Sequence, residues 1–242
     1  MRLDGHVALV TGAGHRVGRA LAVALGAERM NVAVHFNKSA KQADETVRLI
    51  TEAGGNAHPF GFNLTDSDAP ARLVTAVTKH FGSLHVLINS AAVMKRHPFG
   101  STTIADWDET ISLNLRAPFF VAQAASQAMT DGGAIVNISD LAAFETWPSY
   151  IPHSISKAGI VKMTEGLARV LAPSIRVNAI APGAVLLPDD WGEKTGERLS
   201  DTTPLRRLGD PRDVVDAMLY LLRADYVTGE TIVVDGGRRI RK

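Results

Sequence analysis

The sequence predicts a single α/β domain built on a doubly wound parallel sheet of about seven strands, with helices on both faces. Short apolar runs rich in Val and Ile recur along the 242 residues, and a helical pattern separates most of them from the next. The runs are almost continuously apolar rather than alternating, which is typical of strands buried on both faces. No repeat, linker or low-complexity tract divides the chain, so we expect one domain over residues 1–242.

The elements follow one another in a regular order. The strands are predicted at residues 7–10, 32–36, 57–62, 86–88, 134–138, 175–180 and 231–234. The helices are predicted at residues 17–28, 40–53, 67–81, 105–129, 153–172 and 211–222. Ser39, Asp66 and Asp210 lie where N-cap residues are expected, because their side chains can accept a hydrogen bond from the first helical turn.

One long stretch fits neither pattern. Residues 181–204 contain three prolines and three glycines and follow directly on a predicted strand. Loops longer than about 12 to 15 residues inside a compact domain are usually functional or mobile, and ligands of open α/β sheets lie beyond the carboxyl ends of the strands. We therefore predict a substrate-lid loop at residues 181–204.

Composition and charge exclude several classes of function. Lys and Arg number 26 and Asp and Glu number 25, so a cationic face for nucleic acid or a membrane surface is not expected. The chain has no Cys, which excludes disulfides, a cysteine nucleophile and thiolate metal sites. No apolar stretch approaches the roughly 18 to 20 residues that span a bilayer, and the N-terminus does not resemble a signal peptide. We expect a cytoplasmic protein without a metal site.

The first strand leads into a glycine-rich turn that opens the first helix, Thr11-Gly-Ala-Gly-His-Arg-Val-Gly18. Gly12, Gly14 and Gly18 allow a tight turn and a close approach of helix to sheet, and the free N–H groups at the helix start then point at an anion. The position of this turn at the first strand–helix junction predicts the diphosphate site of a dinucleotide in a Rossmann-type fold. A glycine turn with only a structural role is the alternative.

The end of the second strand indicates which dinucleotide is bound. NAD sites usually place an Asp or Glu there to hold the ribose 2′-hydroxyl, whereas this chain reads Asn37-Lys38-Ser39. These residues, together with Arg16 from the first turn, are suited to a 2′-phosphate. The sequence therefore predicts NADP(H); the alternative is that Lys38 is a solvated surface charge.

A series of short motifs extends along nearly the whole chain. They are Thr11-Gly…Gly18, Asn89-Ser-Ala-Ala92, Asn114, Ser139, Lys157-Ala-Gly159, Arg176-Val-Asn178, Pro182-Gly183 and Asp235-Gly-Gly237. In order and spacing they resemble the short-chain dehydrogenase/reductase family. The chain looks most like the pteridine reductase and dihydromonapterin reductase branch, which also carries an Arg at the second glycine of the first turn (Arg16), a His-aromatic-x-basic-Ser run (His35 to Ser39) and an Asp after the Ser (Ser139-Asp140).

This resemblance implies hydride transfer between a nicotinamide and a carbonyl, alcohol or imine. We therefore expect an NADPH-dependent reductase of a small carbonyl or imine, with pterins among the candidate substrates. In the family a Tyr-x-x-x-Lys pair on one helix supplies the proton, because residues four apart share a helix face and the ammonium lowers the pKa of the phenol. This chain keeps Lys157 but has His153 at the tyrosine position, and the nearest tyrosine is Tyr150.

Three hypotheses follow from this replacement. In the first, His153 is the proton donor and works with Asp140 and Lys157, so that activity falls as pH rises and the imidazole loses its proton. In the second, the donor is lost and the protein is a regulatory module that binds NADPH with little or no turnover. In the third, His153 is inert, and another group or water protonates a substrate that needs little help, such as an iminium.

The resemblance also implies the remaining site residues by position. The catalytic residues are expected to be Asn114, Ser139, Asp140, His153 and Lys157. The cofactor is expected to contact Gly12, Gly14, His15, Arg16, Val17, Gly18, Asn37, Lys38, Ser39, Asn63, Leu64, Asn89, Ser90, Ala91, Lys157, Pro182 and Gly183. Candidates for the pocket of the small-molecule substrate are Met94, His97, Leu186, Leu187 and Trp191. Because family members are commonly tetramers, a homo-oligomer is expected.

Overall fold

The computed structural model describes residues 1–186 and 192–240, and its centre is one seven-stranded sheet. The strands are β1 (Val7–Val10), β2 (Asn31–Phe36), β3 (Asn56–Gly61), β4 (Val86–Asn89), β5 (Gly133–Ile138), β6 (Ile175–Pro182) and β7 (Thr231–Val234). Their order across the sheet is β3-β2-β1-β4-β5-β6-β7, and all neighbours are parallel. The predicted fold class is confirmed: the continuous apolar runs of β1 and β4 form strands buried on both faces, whereas the edge strands β3 and β7 are more exposed.

Helices cover both faces of this sheet. They are α1 (Arg16–Ala27), α2 (Ala40–Glu52), α3 (Ala69–Phe81), α4 (Ile104–Ile111), α5 (Ala117–Ala128), α6 (Ile151–Leu171), α7 (Gly192–Thr202) and α8 (Pro211–Arg223). On one face Leu21 and Leu25 of α1 pack with Met218 of α8, and on the other Leu73 of α3 packs with Val121 of α5. Of the helices in the described ranges, none is long and apolar enough to cross a membrane.

The long helix predicted at residues 105–129 is interrupted. Its two halves, α4 and α5, are joined by a π-helical segment over Ser112–Arg116 that contains Asn114. Such segments often occur at functional sites. The predicted N-cap at Asp66 is wrong: Asp68 precedes α3, and Asp66 instead accepts a hydrogen bond from Asn63. Asp210 does cap α8, through a capping box.

The prediction of an irregular loop over residues 181–204 is wrong in part. β6 continues to Pro182, and α7 occupies Gly192–Thr202. The sequence did not predict α7, because this helix contains two glycines and a single large apolar residue, Leu199. Residues 187–191, including the predicted pocket residues Leu187 and Trp191, lie outside the described residues.

The strand order creates one position suited to a ligand. From β1 the chain proceeds outward to β2 and β3, and then returns to place β4 on the other side of β1. The connections that leave β1 and β4 therefore diverge to opposite faces of the sheet. Open α/β sheets bind ligands in the crevice that this divergence leaves at the carboxyl ends of the strands.

Candidate functional site

A cleft of about 1170 Å³ opens at the carboxyl ends of the strands, where the β1 and β4 connections diverge. It brings together most of the predicted site residues, although they come from all parts of the chain. Those that line it are Gly12, His15, Arg16, Val17, Gly18, Asn37, Lys38, Ser39, Asn63, Leu64, Ser90, Ala91, Ser139, Asp140, His153, Lys157, Pro182 and Gly183. Gly14, Asn89 and Asn114 are not among the residues that line it.

The glycine-rich turn is shaped by contacts that only glycine permits. A Cβ atom on Gly12 would lie 2.8 Å from the Cα of Ala91, and one on Gly18 would lie 2.3 Å from the carbonyl oxygen of Gly12. Helix α1 begins at Arg16, and the preceding His15 makes no side-chain cap. The first N–H groups of α1 therefore remain available to an anion at the cleft.

Side chains behind the turn hold its backbone. His35 of β2 accepts a hydrogen bond from the N–H of Gly12 over 3.1 Å. Arg19 donates to the carbonyl of Gly14 over 2.7 Å, and the hydroxyl of the fully buried Thr46 lies 3.1 Å from the carbonyl oxygen of Ala13. Arg19 of α1 and Thr46 of α2 therefore hold the carbonyl oxygens of Gly14 and Ala13 in place.

The segment after β2 carries a cation and no carboxylate. Asn37 and Lys38 are exposed at the cleft, and Ser39 precedes α2 without a side-chain cap. A Cβ atom on Gly14 would lie 2.8 Å from the Ser39 hydroxyl, so glycine allows the two segments to approach each other. Arg16 donates to the carbonyl of Leu186, which links the first turn to the segment after β6.

Lys157 of α6 lies at the cleft but is only 5% exposed. Its Nζ donates to the carbonyl of Ile138 over 2.9 Å. Burial lowers the pKa of the Lys157 ammonium, while the carboxylate of Asp140 acts in the opposite direction. The hydroxyl of Ser139 donates to the carbonyl of Lys157 over 2.9 Å, so its hydrogen is used within the protein and its oxygen lone pairs remain for a ligand.

His153 lies one helical turn before Lys157 and is 3% exposed. Its Nδ1 is 3.2 Å from the carbonyl oxygen of Val93 and 3.4 Å from Nδ2 of Asn114. Its Nε2 is 3.5 Å from Oδ2 of Asp140 and has no hydrogen-bond partner among the residues that the structure describes. A buried polar atom without a partner is destabilising, so this nitrogen is suited to a ligand that completes its hydrogen bonding.

Asn114 binds the backbone of Val93, the residue whose carbonyl oxygen lies beside Nδ1 of His153. Its Oδ1 accepts from the N–H of Val93 and its Nδ2 donates to the carbonyl of Val93, each over 2.8 Å. Nδ2 also lies 3.2 Å from the hydroxyl of Ser156. These contacts fix the amide in one orientation, and they hold the carbonyl of Val93 against the ring of His153.

Two other predicted asparagines use the NH2 groups of their amides inside the protein. Asn89 is buried between β4 and β5, and its Nδ2 donates to Oδ1 of Asn137 over 2.9 Å. Asn63 lines the cleft, but its Nδ2 donates to Asp66 and its Oδ1 accepts from the hydroxyl of Thr65. Their contacts to a cofactor therefore stay predictions.

The cleft contains aromatic residues whose location the sequence did not determine. The ring of Trp147 lies within 12° of parallel to the imidazole of His153, with centroids 6.5 Å apart. Tyr150 packs edge-on against Trp147, with centroids 6.1 Å apart. Both line the cleft, as do Met94 and Leu186, whereas His97 does not. Proximity to His153 along the chain was the only sequence signal for the two aromatic residues.

Known proteins resemble this chain along nearly its whole length. A family model described as enoyl-(acyl carrier protein) reductase matches residues 12–239. The 3-oxoacyl-(acyl-carrier-protein) reductase FabG of Staphylococcus aureus is 33% identical over 237 residues, which cover 95% of this chain and 96% of that protein. The 3beta-hydroxysteroid dehydrogenase 1 of Eggerthella lenta is 35% identical over 248 aligned residues, which cover 97% of this chain and 94% of that protein.

The fold also occurs in solved structures. The crystal structure of a dehydrogenase/reductase from Sinorhizobium meliloti 1021 matches with a TM-score of 0.92 and 32% identity, and the match covers 98% of this chain and 97% of that one. The likeness in fold therefore extends over nearly the whole chain.

Proposed function

The chain belongs to the short-chain dehydrogenase/reductase family and is an oxidoreductase, and from this premise we propose that it reduces a small carbonyl or imine with NADPH, using His153 as the proton donor. The proposal is carried by one observation. The buried Nε2 of His153 lies 3.5 Å from Asp140 and has no hydrogen-bond partner within the described residues. A ring nitrogen so placed at the cleft is available to a reacting oxygen.

The residues of the cleft fit a nicotinamide dinucleotide. The absence of a Cβ atom at Gly12 and Gly18 leaves the turn compact, and the free N–H groups at the start of α1 suit the diphosphate. The ammonium of Lys157 has two further hydrogens besides the one given to Ile138, and the family resemblance implies that they bind ribose hydroxyls. NADPH supplies the hydride when it is bound.

The end of β2 supports NADPH over NADH. Lys38 is exposed at the cleft, and Asn37 and Ser39 flank it with polar groups that bind phosphate oxygens. The segment lacks the Asp or Glu that would hold a free ribose 2′-hydroxyl and repel a 2′-phosphate.

The Nδ1 side of His153 orients the ring for proton transfer. A carbonyl oxygen only accepts, so a hydrogen on Nδ1 satisfies Val93 and leaves Nε2 as the nitrogen that gains and loses a proton. As hydride adds to the carbonyl carbon, the proton on Nε2 passes to the carbonyl oxygen, which yields an alcohol and a neutral imidazole. The side chain of Asp140 is 25% exposed, and its carboxylate relays a proton from water to the imidazole ring.

The substrate class is a small carbonyl or imine. Met94, Trp147 and Tyr150 provide apolar surface beside His153, which suits a flat substrate. Pterins belong in the test panel because Arg16, the run from His35 to Ser39 and Asp140 resemble the pteridine reductase branch.

Two further predictions accompany the proposal. The first is that the segment after β6 covers the substrate; Leu199 of α7 lines the cleft and Arg16 binds the carbonyl of Leu186, which supports such a role. The second is a homo-oligomer, a tetramer by family resemblance. Phe119 and Phe120 of α5 are partly exposed, which supports burial against another copy, and native mass spectrometry measures the subunit number.

The test combines binding with turnover. Affinity for NADP⁺ is measured by calorimetry, and oxidation of NADPH is followed against a panel of ketones, imines and pterins. His153→Gln is expected to lower kcat by about 10²- to 10⁴-fold, the contribution of a positioned acid, while the Kd for NADP⁺ stays within about threefold because the diphosphate contacts are unchanged. His80→Gln, on α3 and outside the lining of the cleft, is the control.

Two outcomes would contradict this assignment. If His153→Gln keeps the kcat of the parent, His153 is not the proton donor. If the parent binds NADP⁺ tightly but turns over no member of the panel between about pH 5 and pH 8, where an imidazole gains and loses its proton, the protein is a binding module rather than a reductase.

A further inference from the structure

We propose that His35 is a positioning residue for the cofactor, because its imidazole accepts the amide hydrogen of Gly12 and so holds the glycine-rich turn in the shape that binds the diphosphate. This inference rests on the proposed function, since it concerns affinity for NADP(H). It adds a residue on β2 that does not touch the reacting atoms.

The ring of His35 joins three strand ends. It is 2% exposed at the carboxyl end of β2, and its Nδ1 accepts from the N–H of Gly12 over 3.1 Å. Its Nε2 lies 3.0 Å from the carbonyl oxygen of Phe62, just after β3. The backbone makes a third link, because the N–H of Ala13 donates to the carbonyl of His35 over 2.9 Å.

These partners determine the tautomer. The N–H of Gly12 only donates, so Nδ1 must carry a lone pair. The carbonyl of Phe62 only accepts, so Nε2 must carry the hydrogen. A proton added to Nδ1 would face the amide hydrogen of Gly12 and break the bond that holds the turn.

Gly12 is the position where loss of this bond matters most. Its φ of 67° is in the left-handed region, and its neighbours leave little free space. Ala91 lies against it from the segment after β4, and the start of α1 at Gly18 packs on its carbonyl. A shift of Gly12 therefore moves the N-terminus of α1 relative to the cleft. Part of the free energy of cofactor binding is then used to return the glycine-rich turn to its binding shape, so affinity decreases.

The surroundings keep the ring neutral. Burial lowers the pKa of His35 to about 4, and its bond to Phe62 only partly offsets that effect. The causes of this pKa are burial and the hydrogen bond to Phe62, and no charged side chain is among them.

Two substitutions separate the contacts of the ring. In His35→Asn the amide oxygen occupies the place of Nδ1, so the variant retains an acceptor for Gly12 and loses the bond to Phe62. In His35→Gln the amide nitrogen occupies the place of Nε2, so the variant retains a donor for Phe62 and loses the bond to Gly12. Each loses one hydrogen bond, and we expect similar decreases in melting temperature.

Affinity for NADP⁺ is then expected to differ although stability does not. The Kd of His35→Gln should rise about tenfold, as expected for the loss of one hydrogen bond, while His35→Asn should remain within about threefold of the parent. Long-range ¹⁵N–¹H correlations of the imidazole in the unliganded parent should show the hydrogen on Nε2.

Equal Kd values for the two variants, or a hydrogen on Nδ1 in the parent, would overturn the inference. A parent that binds neither NADP⁺ nor NAD⁺ would instead overturn the proposed function, and with it the role of His35 in affinity. The two failures are distinguishable, because the tautomer is read without any ligand.

Discussion

The low pKa of His35 predicts how stability changes with pH. The pKa falls from 6.5 in the unfolded chain to about 4 in the folded protein, and one pKa unit corresponds to about 1.4 kcal/mol, so the whole effect is about 3 kcal/mol. Above about pH 6.5 the ring is neutral in both states and this stability is fully present. As pH decreases toward about 4, the unfolded chain takes up a proton that the folded protein rejects, and the stability is lost.

Linkage gives the size of the loss at a convenient pH. Between about pH 7.5 and pH 5, His35 alone should remove about 2 kcal/mol from the free energy of unfolding. The assay is urea unfolding followed by the fluorescence of the three tryptophans, with the parent compared to His35→Asn. Other histidines whose pKa burial lowers, such as His58 and His85, are common to both proteins and cancel. If both proteins lose stability in parallel over this range, the reasoning is refuted.

Three further predictions concern the turn, the cofactor and α6. Lys38→Glu should raise the Kd for NADP⁺ at least about tenfold, because a carboxylate repels the 2′-phosphate. The same variant should lower the Kd for NAD⁺, because a carboxylate binds the ribose 2′-hydroxyl. Calorimetry with both dinucleotides measures the two Kd values. Gly18→Ala should raise the Kd for NADP⁺ about a hundredfold or more, since a shift of the turn costs several hydrogen bonds; its Cβ would lie 2.3 Å from the carbonyl oxygen of Gly12. Gly166→Ala, exposed within α6 and with open space at its Cβ, should raise the free energy of unfolding by about 0.5 to 1 kcal/mol, measured in urea.

Much of the fold was predictable because its strands coincide with continuous runs of apolar residues in the sequence. Runs such as Val7–Val10 are apolar throughout, and the helices between them show their own period, so the α/β order follows directly. Helix α7 was missed because Leu199 is its single large apolar residue, so the pattern that identifies amphipathic helices is absent. The interruption at Ser112–Arg116 was missed because a π-helical segment has no residue signature distinct from that of an α-helix.

The candidate site was predictable where it depends on side-chain type. The glycines of the turn and the spacing of His153 and Lys157 are visible in the sequence. The contact between His153 and the carbonyl of Val93 is not visible in the sequence. Every residue has a backbone carbonyl, and only the fold determines which one lies beside the imidazole. His35 did leave a signal, since a histidine inside the apolar strand Asn31–Phe36 requires hydrogen-bond partners once it is buried.

The pH dependence of ketone reduction tests the central claim most directly. We predict that kcat of the parent decreases as pH rises, because only a protonated imidazole can donate a proton to the reacting oxygen. His153→Tyr should keep its kcat to higher pH, since a phenol beside the Lys157 ammonium retains its proton when an imidazole does not. Identical pH profiles for the parent and His153→Tyr would contradict the assignment of His153 as the proton donor.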